Sequence, residues 1–515
     1  MSAVPSTASA WSVALIGVQG TPVEVEAALG PGLPRTVLVG LPDAALYEAR
    51  DRCRAAVAGA GLAWPDRLLT INLTPASLPK AGSHYDLAIV AAVLACSELV
   101  PRGIASSSVL LGELGLDGRV RPVRGILPAL LAARAAGLGR AVVPAGQTGE
   151  AQLVTGLTVW GVRDLADLVE VLHGRPVPTV AGSRSVPAPP AVPDLADVLG
   201  QEQARWALEV AAAGGHHIFF HGPPGTGKTM LAQRLPGLLP PLDDEQALEV
   251  SAVHSLAGED LGGGLIRRAP FADPHHNATV AAMVGGGARV ARPGAVSLAH
   301  RGVLLLDEAP EFSPRVLDAL RTPLESGRIT IARSAASVTY PARFQLVLAA
   351  NPCPCGNHGV PGAQCRCTPM AVRRYAQRIS GPVLDRIDIH VRVTGEGTAG
   401  LTAGPDAQRG EDSASVGGRV LEARQRQRAR LSGTPWTLNA HVPGSHLRRG
   451  LPPVQGVELI DHALARGLVS ARGIDKILRV AWTVADLAGH DEVTRADLAA
   501  AVGLRRGELW AGAAA

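Results

Sequence analysis

"HHIFFHGPPGTGKTMLAQRL", residues 216–235, passes from an apolar strand through a glycine-rich loop into a helix. Within it Gly222, Pro223, Pro224, Gly225, Thr226, Gly227, Lys228 and Thr229 fit the pattern G-x-x-x-x-G-K-[ST]. In such a loop backbone N–H groups face phosphates, the lysine reaches the β and γ oxygens, and the hydroxyl helps to hold Mg²⁺. An ordinary glycine-rich turn is the competing reading, and the strand before and helix after it argue against that.

A phosphate loop needs a carboxylate for the ion and a group that activates water. "GVLLLDEAPEF" (302–312) supplies four apolar residues and then Asp307 and Glu308 at the strand's end. Asp307 is expected to support Mg²⁺, and Glu308 to polarise the attacking water. A third apolar strand, "FQLVLAAN", ends at Asn351. In a parallel sheet these ends lie side by side, where an amide can orient water; capping a turn before Pro352 is the alternative use of Asn351.

Directly behind Asn351 comes "NPCPCGNHGVPGAQCRC" (351–367), which holds four of the six cysteines. Cys353-x-Cys355 and Cys365-x-Cys367 make a four-thiolate set sufficient for a closed tetrahedral Zn²⁺. Four protein ligands leave no position for an activated water, so such an ion is structural; oxidation of neighbouring thiols is the rival reading. Cys53 and Cys96 stand isolated, and together with the length this points to a reducing compartment rather than a disulfide framework.

The 515 residues exceed what one core organises. Two Pro/Gly/Ser-rich stretches, 174–193 and 394–418, read as a linker and a flexible polar segment. They separate a mixed strand–helix region (1–173), an alternating α/β core (194–393, with the cysteine-rich insertion 351–367) and a helical region (419–515). No basic leader precedes the first apolar run, and the longest, "LAIVAAVLAC" from Leu87, is too short to span a bilayer. A cytoplasmic location without membrane contact is expected.

Net charge is +4, too slight to demand a nucleic-acid partner. Its distribution says more. Of 49 basic residues only Lys80, Lys228 and Lys476 are lysine, so those three invite a chemical reason. "RVLEARQRQRARL" (419–431) reads as a basic helix able to track phosphates, and Arg50, Arg52 and Arg54 as a smaller basic face. Aromatic residues are scarce, which disfavours base stacking.

The order of phosphate loop, Asp-Glu strand and Asn strand resembles the AAA+ ATPases. More closely, "PHHNATVAAMVGGGARVARPGAVSLAHRGVLLLDEAPEF" (274–312), "NPCPCG" (351–356) and "ISGPVLDRIDIHV" (379–391) resemble the YifB/ComM family of magnesium-chelatase-like AAA+ proteins, over nearly the whole chain.

That resemblance implies an N-terminal Lon-protease-like α+β domain, a central P-loop NTPase α/β domain and a C-terminal helical lid. It also implies ATP with Mg²⁺ and a homo-oligomeric ring, usually a hexamer. Arg386 matches the arginine finger that reaches a neighbour's nucleotide, with Arg378 as competitor; Arg472 matches the second sensor, with Arg479 as fallback. Pore-facing insertions are implied for 272–295, with His275, His276, Gly285–Gly287, Arg289 and Arg292, and for a hairpin in 326–344 with Arg328 and Arg333.

Aligned on the Lon-type domain, "LPKAGSHYDLAIVAAVLA" (78–95) places His84 at the nucleophile's position beside Lys80 and Ser83. Lys80 is the only lysine there, so peptidase activity is not expected. The family implies a DNA helicase or translocase acting on branched recombination intermediates, as in natural transformation. A magnesium-chelatase-like motor subunit and a protein-remodelling ATPase are the alternatives.

Overall fold

The computed structural model describes residues 6–40, 44–80, 82–177, 192–261, 264–287, 291–332, 337–360, 362–394, 410–467 and 469–507. Arg289, Arg333 and most of both predicted linkers (178–191 and 395–409) lie outside the described residues.

The N-terminal region is built on a mixed sheet. Its strands are β1 (Ser6–Ile16), β2 (Gln19–Gly30), β3 (Arg35–Val39), β4 (Leu68–Thr74) and β5 (Ser108–Leu110), a small ladder of β6 (Glu113–Leu114) with β7 (Val120–Arg121), then β8 (Arg140–Pro144) and β9 (Thr158–Val162). The seven-stranded order is β3-β4-β2-β1-β5-β8-β9. Alternation decides the face: Val23, Val25, Ala27 and Leu29 of β2 and Leu69, Ile71 and Leu73 of β4 are buried while their neighbours are not. The apolar run from Leu87 forms the helix Asp86–Cys96, buried along its whole length against this sheet.

The central region is a five-stranded parallel sheet of β10 (Ile218–His221), β11 (Phe271–Ala272), β12 (Val303–Leu306), β15 (Gln345–Ala350) and β16 (Ile389–Arg392), in the order β11-β12-β15-β10-β16. β12 and β15 are buried at every position, as strands covered on both faces must be. Between them in sequence, β13 (Arg328–Ala332) and β14 (Ser337–Pro341) form the expected antiparallel hairpin.

The chain turns helical earlier than the composition of 394–418 predicts: the helix Ser413–Arg430 begins inside that stretch, capped by the Asp412 carboxylate accepting from Ser415 N–H. The helices that follow, including Ala471–Ala488 and Arg495–Arg506, share one apolar core with the central sheet, from Ala207 and Phe220 through Val420 to Trp482.

Two apolar contacts fix the N-terminal region to the central one. Leu127, Leu130 and Val154 pack with Leu248, Leu265 and Ile266, and beside them Ser255 Oγ donates to the buried Glu150 carboxylate at 2.5 Å. At the β1–β2 turn, Ile16 and Val18 join Ile329, Ile331 and Val338 of the hairpin. Gly17 makes this approach possible: at φ +64° its missing Cβ would lie 2.7 Å from the Thr339 carbonyl oxygen.

Candidate nucleotide site

Parallel pairing brings three strand ends to one edge. His221 is in register with Ala350, and Leu306 with Leu348, so Gly222, Asp307 and Asn351 emerge together. β10 lies between β15 and β16, where the strand order reverses, and open α/β sheets place ligands at such a crevice. Gly227, at φ +87°, turns the loop into the helix Lys228–Leu238.

Lys228 Nζ donates to Gly222 O (2.9 Å), Pro223 O (2.6 Å) and Asn351 Oδ1 (3.1 Å). Burial lowers its pKa, and Asp307 opposes that shift. Thr229 Oγ1 donates to Asp307 Oδ2 at 2.6 Å, and the second oxygen of Asp307 accepts from Glu308 N–H at 2.8 Å. Glu308 itself is half exposed and sits at φ +50°, a strained backbone for a glutamate.

His276 Nδ1 approaches Glu308 Oε2 at 3.5 Å, and the His275 ring lies 4.1 Å away from that of His276. The resemblance places this pair among pore-facing residues; the structure instead sets His276 beside the acidic strand end. Sequence reasoning missed it because the two segments meet through the short pairing of β11 with β12 and a shared apolar core, neither of which leaves a local signal. Asp273, which follows β11, has its carboxyl pKa raised by burial and then by Asp307.

The four cysteines converge at this same edge. Their sulfurs all lie within 4.8 Å of one another, with Cys353–Cys355 at 3.4 Å, Cys353–Cys365 at 3.8 Å and Cys355–Cys365 at 3.7 Å. A tetrahedron with Zn–S bonds of ~2.3 Å requires sulfurs ~3.8 Å apart, so the donor set fits that ion. The loop also touches the phosphate loop: a Cβ on Gly356, at φ +81°, would lie 2.6 Å from Pro224 Cδ.

Arg386 and Arg472 stand at the other edge of the sheet. They line a cavity of about 700 Å³ with Arg301, Arg343, Arg428 and Arg479. Arg386 pairs with Glu325 and donates to Pro382 O, while burial and then Arg321 and Arg472 lower its pKa. The competitors also have partners: Arg378 donates to Glu311 at 2.8 Å, and Arg479, in the same cavity, donates from Nε to Val442 O at 2.7 Å.

Comparison with known proteins agrees with this architecture. Family profiles match residues 194–400 ("Magnesium chelatase, subunit ChlI"), 25–147 ("Subunit ChlI of Mg-chelatase") and 410–505 ("Magnesium chelatase, subunit ChlI C-terminal"). An uncharacterized protein of Mycobacterium tuberculosis is 51% identical over 500 residues, covering 96% of this chain and 98% of that one. YifB of Escherichia coli is 43% identical over 502 residues, 96% of each chain, and competence protein ComM of Haemophilus influenzae is 40% identical over 507 residues, 97% of each. The chain belongs to the YifB/ComM family of magnesium-chelatase-like ATPases.

Membership of the YifB/ComM family implies ATP and Mg²⁺. The residues present fit them: Lys228 already meets three oxygen acceptors, and Thr229 and Asp307 form the paired hydroxyl and carboxylate that an octahedral Mg²⁺ takes. Among the described residues no helix is long and apolar enough to cross a membrane.

Two further expectations from sequence, both about basic faces, meet a different outcome. The arginines of 419–430 do not form a free basic face. Arg419 pairs with Glu209 and Glu411, Arg424 donates to Ala212 O, and Arg430 holds the buried Asp486. Most of these cations seat the helix, while Arg426 and Arg428 stay exposed. Arg52 is bound to the buried Asp86, so the basic face at 50–54 is reduced likewise. In the N-terminal region Lys80 donates to Gly40 O and Pro75 O, Ser83 to Glu113, and His84 Nε2 lies 2.9 Å from Val13 O. Ser83 and Lys80 thus have separate partners.

Proposed function

We propose that the protein is an ATP-hydrolysing ring motor that moves DNA, each nucleotide site being completed by the adjacent copy. The observation that carries this reading is the separation of Arg386 and Arg472 from the phosphate loop. The four residues of β16 lie between the two edges, roughly 13 Å at strand rise, beyond what either side chain spans. An arginine that serves hydrolysis from there serves another subunit's site.

In this mechanism Lys228 and the loop N–H groups hold the β and γ phosphates, and Thr229 with Asp307 holds Mg²⁺, which neutralises charge on the phosphoryl oxygens. Glu308 accepts a proton from the water that attacks the γ phosphorus, while Asn351 orients that water. ADP leaves as the bridging bond breaks. Arg386 and Arg472 of the neighbouring copy stabilise the equatorial charge.

The cysteine cluster holds a structural Zn²⁺ that braces the loop against Pro224. The N-terminal region serves as a Lon-like scaffold without peptidase chemistry, and the ring is a cytoplasmic hexamer. Support for DNA as substrate comes from competence protein ComM and from exposed Arg292 and Arg328 on the two insertions.

The test is ATP hydrolysis with and without single-stranded, duplex and four-way-junction DNA at two salt concentrations, beside Glu308→Gln. Stimulation that requires Glu308, peaks on branched DNA and weakens with salt is expected. Hydrolysis indifferent to every DNA would turn the reading to tetrapyrrole metallation, which the match to a magnesium chelatase subunit favours, or to protein remodelling.

A further inference from the structure

We propose that Lys476 is a positioning residue for Arg386, fastening the loop that carries this neighbour-facing arginine to the helix that carries Arg472. The inference rests on the reading of Arg386 given above.

Lys476 lies on the helix Ala471–Ala488, four residues after Arg472 and three before Arg479, so the three share one face and line one cavity. Its Nζ is 2.6 Å from Asp388 Oδ1 and donates to the Arg386 carbonyl at 2.9 Å. One ammonium therefore grips both the residue just before β16 and the backbone of the finger. Asp388 is fully buried and meets His216 Nδ1 at 3.3 Å, whose Nε2 is 2.7 Å from Thr483 Oγ1 on the same helix. Helix and loop are thus tied at two levels, Lys476 and Thr483, two turns apart.

The chemistry explains why lysine persists here in a chain that uses arginine for 46 of its 49 basic residues, Lys80, Lys228 and Lys476 being the exceptions. The acceptors converge on a point: a carboxylate oxygen and a carbonyl oxygen. An ammonium satisfies both with a single atom. A guanidinium would spread five donors over a plane, with the surplus facing Arg479 and Arg505, which already crowd this site. Burial lowers the pKa of Lys476 and Asp388 opposes that shift; burial alone would raise Asp388, but Lys476 and then His216 hold it well below the usual range.

The experiment measures kcat and KM for ATP hydrolysis by the full chain, with Tm and oligomeric state. The assay must be sensitive enough to follow the residual rate of Arg386→Ala. Lys476→Met is expected to lower kcat roughly 10- to 100-fold with KM within about twofold, the effect of a misplaced catalytic group. Added to Arg386→Ala it should cost nothing further, and Lys476→Arg should not restore the rate. Lys476→Met/Asp388→Asn removes both charges, spares the core an unpaired ion, and should show the same kcat loss.

A folded Lys476 variant with full kcat overturns the proposal, as do losses that multiply in the Arg386 double variant. Failure of both Lys476→Met and Lys476→Met/Asp388→Asn to fold assigns Lys476 to the core alone and overturns it too. Full activity in Arg386→Ala would instead remove the reading of Arg386 on which it rests.

Discussion

At one edge of the central sheet stand Lys228, Thr229, Asp307 and Asn351; at the other stand Arg386, Arg472 and Lys476. The first edge is a glycine-turned crevice whose lysine, hydroxyl, amide and carboxylate are bonded to one another. The second is an arginine-lined cavity whose cations are held by Glu325, Asp388 and backbone carbonyls. In the proposed reaction each edge supplies half of what phosphoryl transfer requires, and the groups named at each edge have partners within the chain. The difference teaches that the direction of the strands sets the phosphate-loop residues and the arginine cluster at opposite edges, the separation on which the proposed sharing of the reaction between copies rests.

The largest expected effect tests that division directly. Arg386→Ala should lower kcat by ~10³-fold or more, the scale of an arginine finger. Lys228→Ala should be equally inactive. Mixed in one assembly, the two should regain a fraction of wild-type hydrolysis, because a junction between an intact loop and an intact finger is re-formed. Mixtures that stay inactive would mean each chain holds a complete site, and the comparison would break.

Acid should strike the arginine edge and its strands. His217 Nδ1 accepts from Leu346 N–H, and His390 Nε2 from Arg505, so protonation would remove an acceptor in each case. Burial is the main reason both are pushed down to about 3, with His390 lowered further by Arg505. A histidine whose folded pKa lies below its unfolded value near 6.5 favours the unfolded chain as it gains a proton. Stability from these two is therefore full above pH ~6.5 and declines toward pH ~3, by up to about 1.4 kcal/mol per pH unit for each. Tm measured across that window should fall, and His217→Gln/His390→Gln should flatten the slope. An unchanged slope would show the edge to be insensitive.

A smaller effect belongs to the phosphate edge. Removing zinc with a chelator, or Cys353→Ser, should raise KM for ATP several-fold and leave kcat close to wild type, because the cysteine loop meets Pro224 of the phosphate loop. Elemental analysis should give one zinc per chain. Purified protein without zinc, with unaltered KM in Cys353→Ser, would sink both the ion and the brace.

The phosphate edge was legible in sequence because its residues are contiguous or end apolar strands that lie side by side in the parallel sheet. Glycine, lysine and the Asp-Glu pair are dictated by local chemistry, and parallel pairing does the rest. The arginine edge was legible only through family likeness, since Arg386 and Arg472 come from distant segments and nothing local marks their meeting. The helix 413–430 was misread for a related reason: charge counted along a helix does not say which cations face acids elsewhere, and Glu209, Glu411 and Asp486 were needed to see it. The contact of His276 with Glu308 was not foreseen, because the segments that bring them together meet through a two-residue strand and a shared core that leave no pattern in the sequence.

The β1–β2 turn against the hairpin has a mechanical consequence. With Ile16 and Val18 in one cluster with Ile329, Ile331 and Val338, the hairpin strands cannot be displaced without dragging the N-terminal sheet or shearing that cluster. The hairpin is therefore a short lever whose fulcrum is another region's frame. Its travel is limited by the compliance of seven hydrogen-bonded strands, and load on it returns to that frame instead of dissipating in a loose loop.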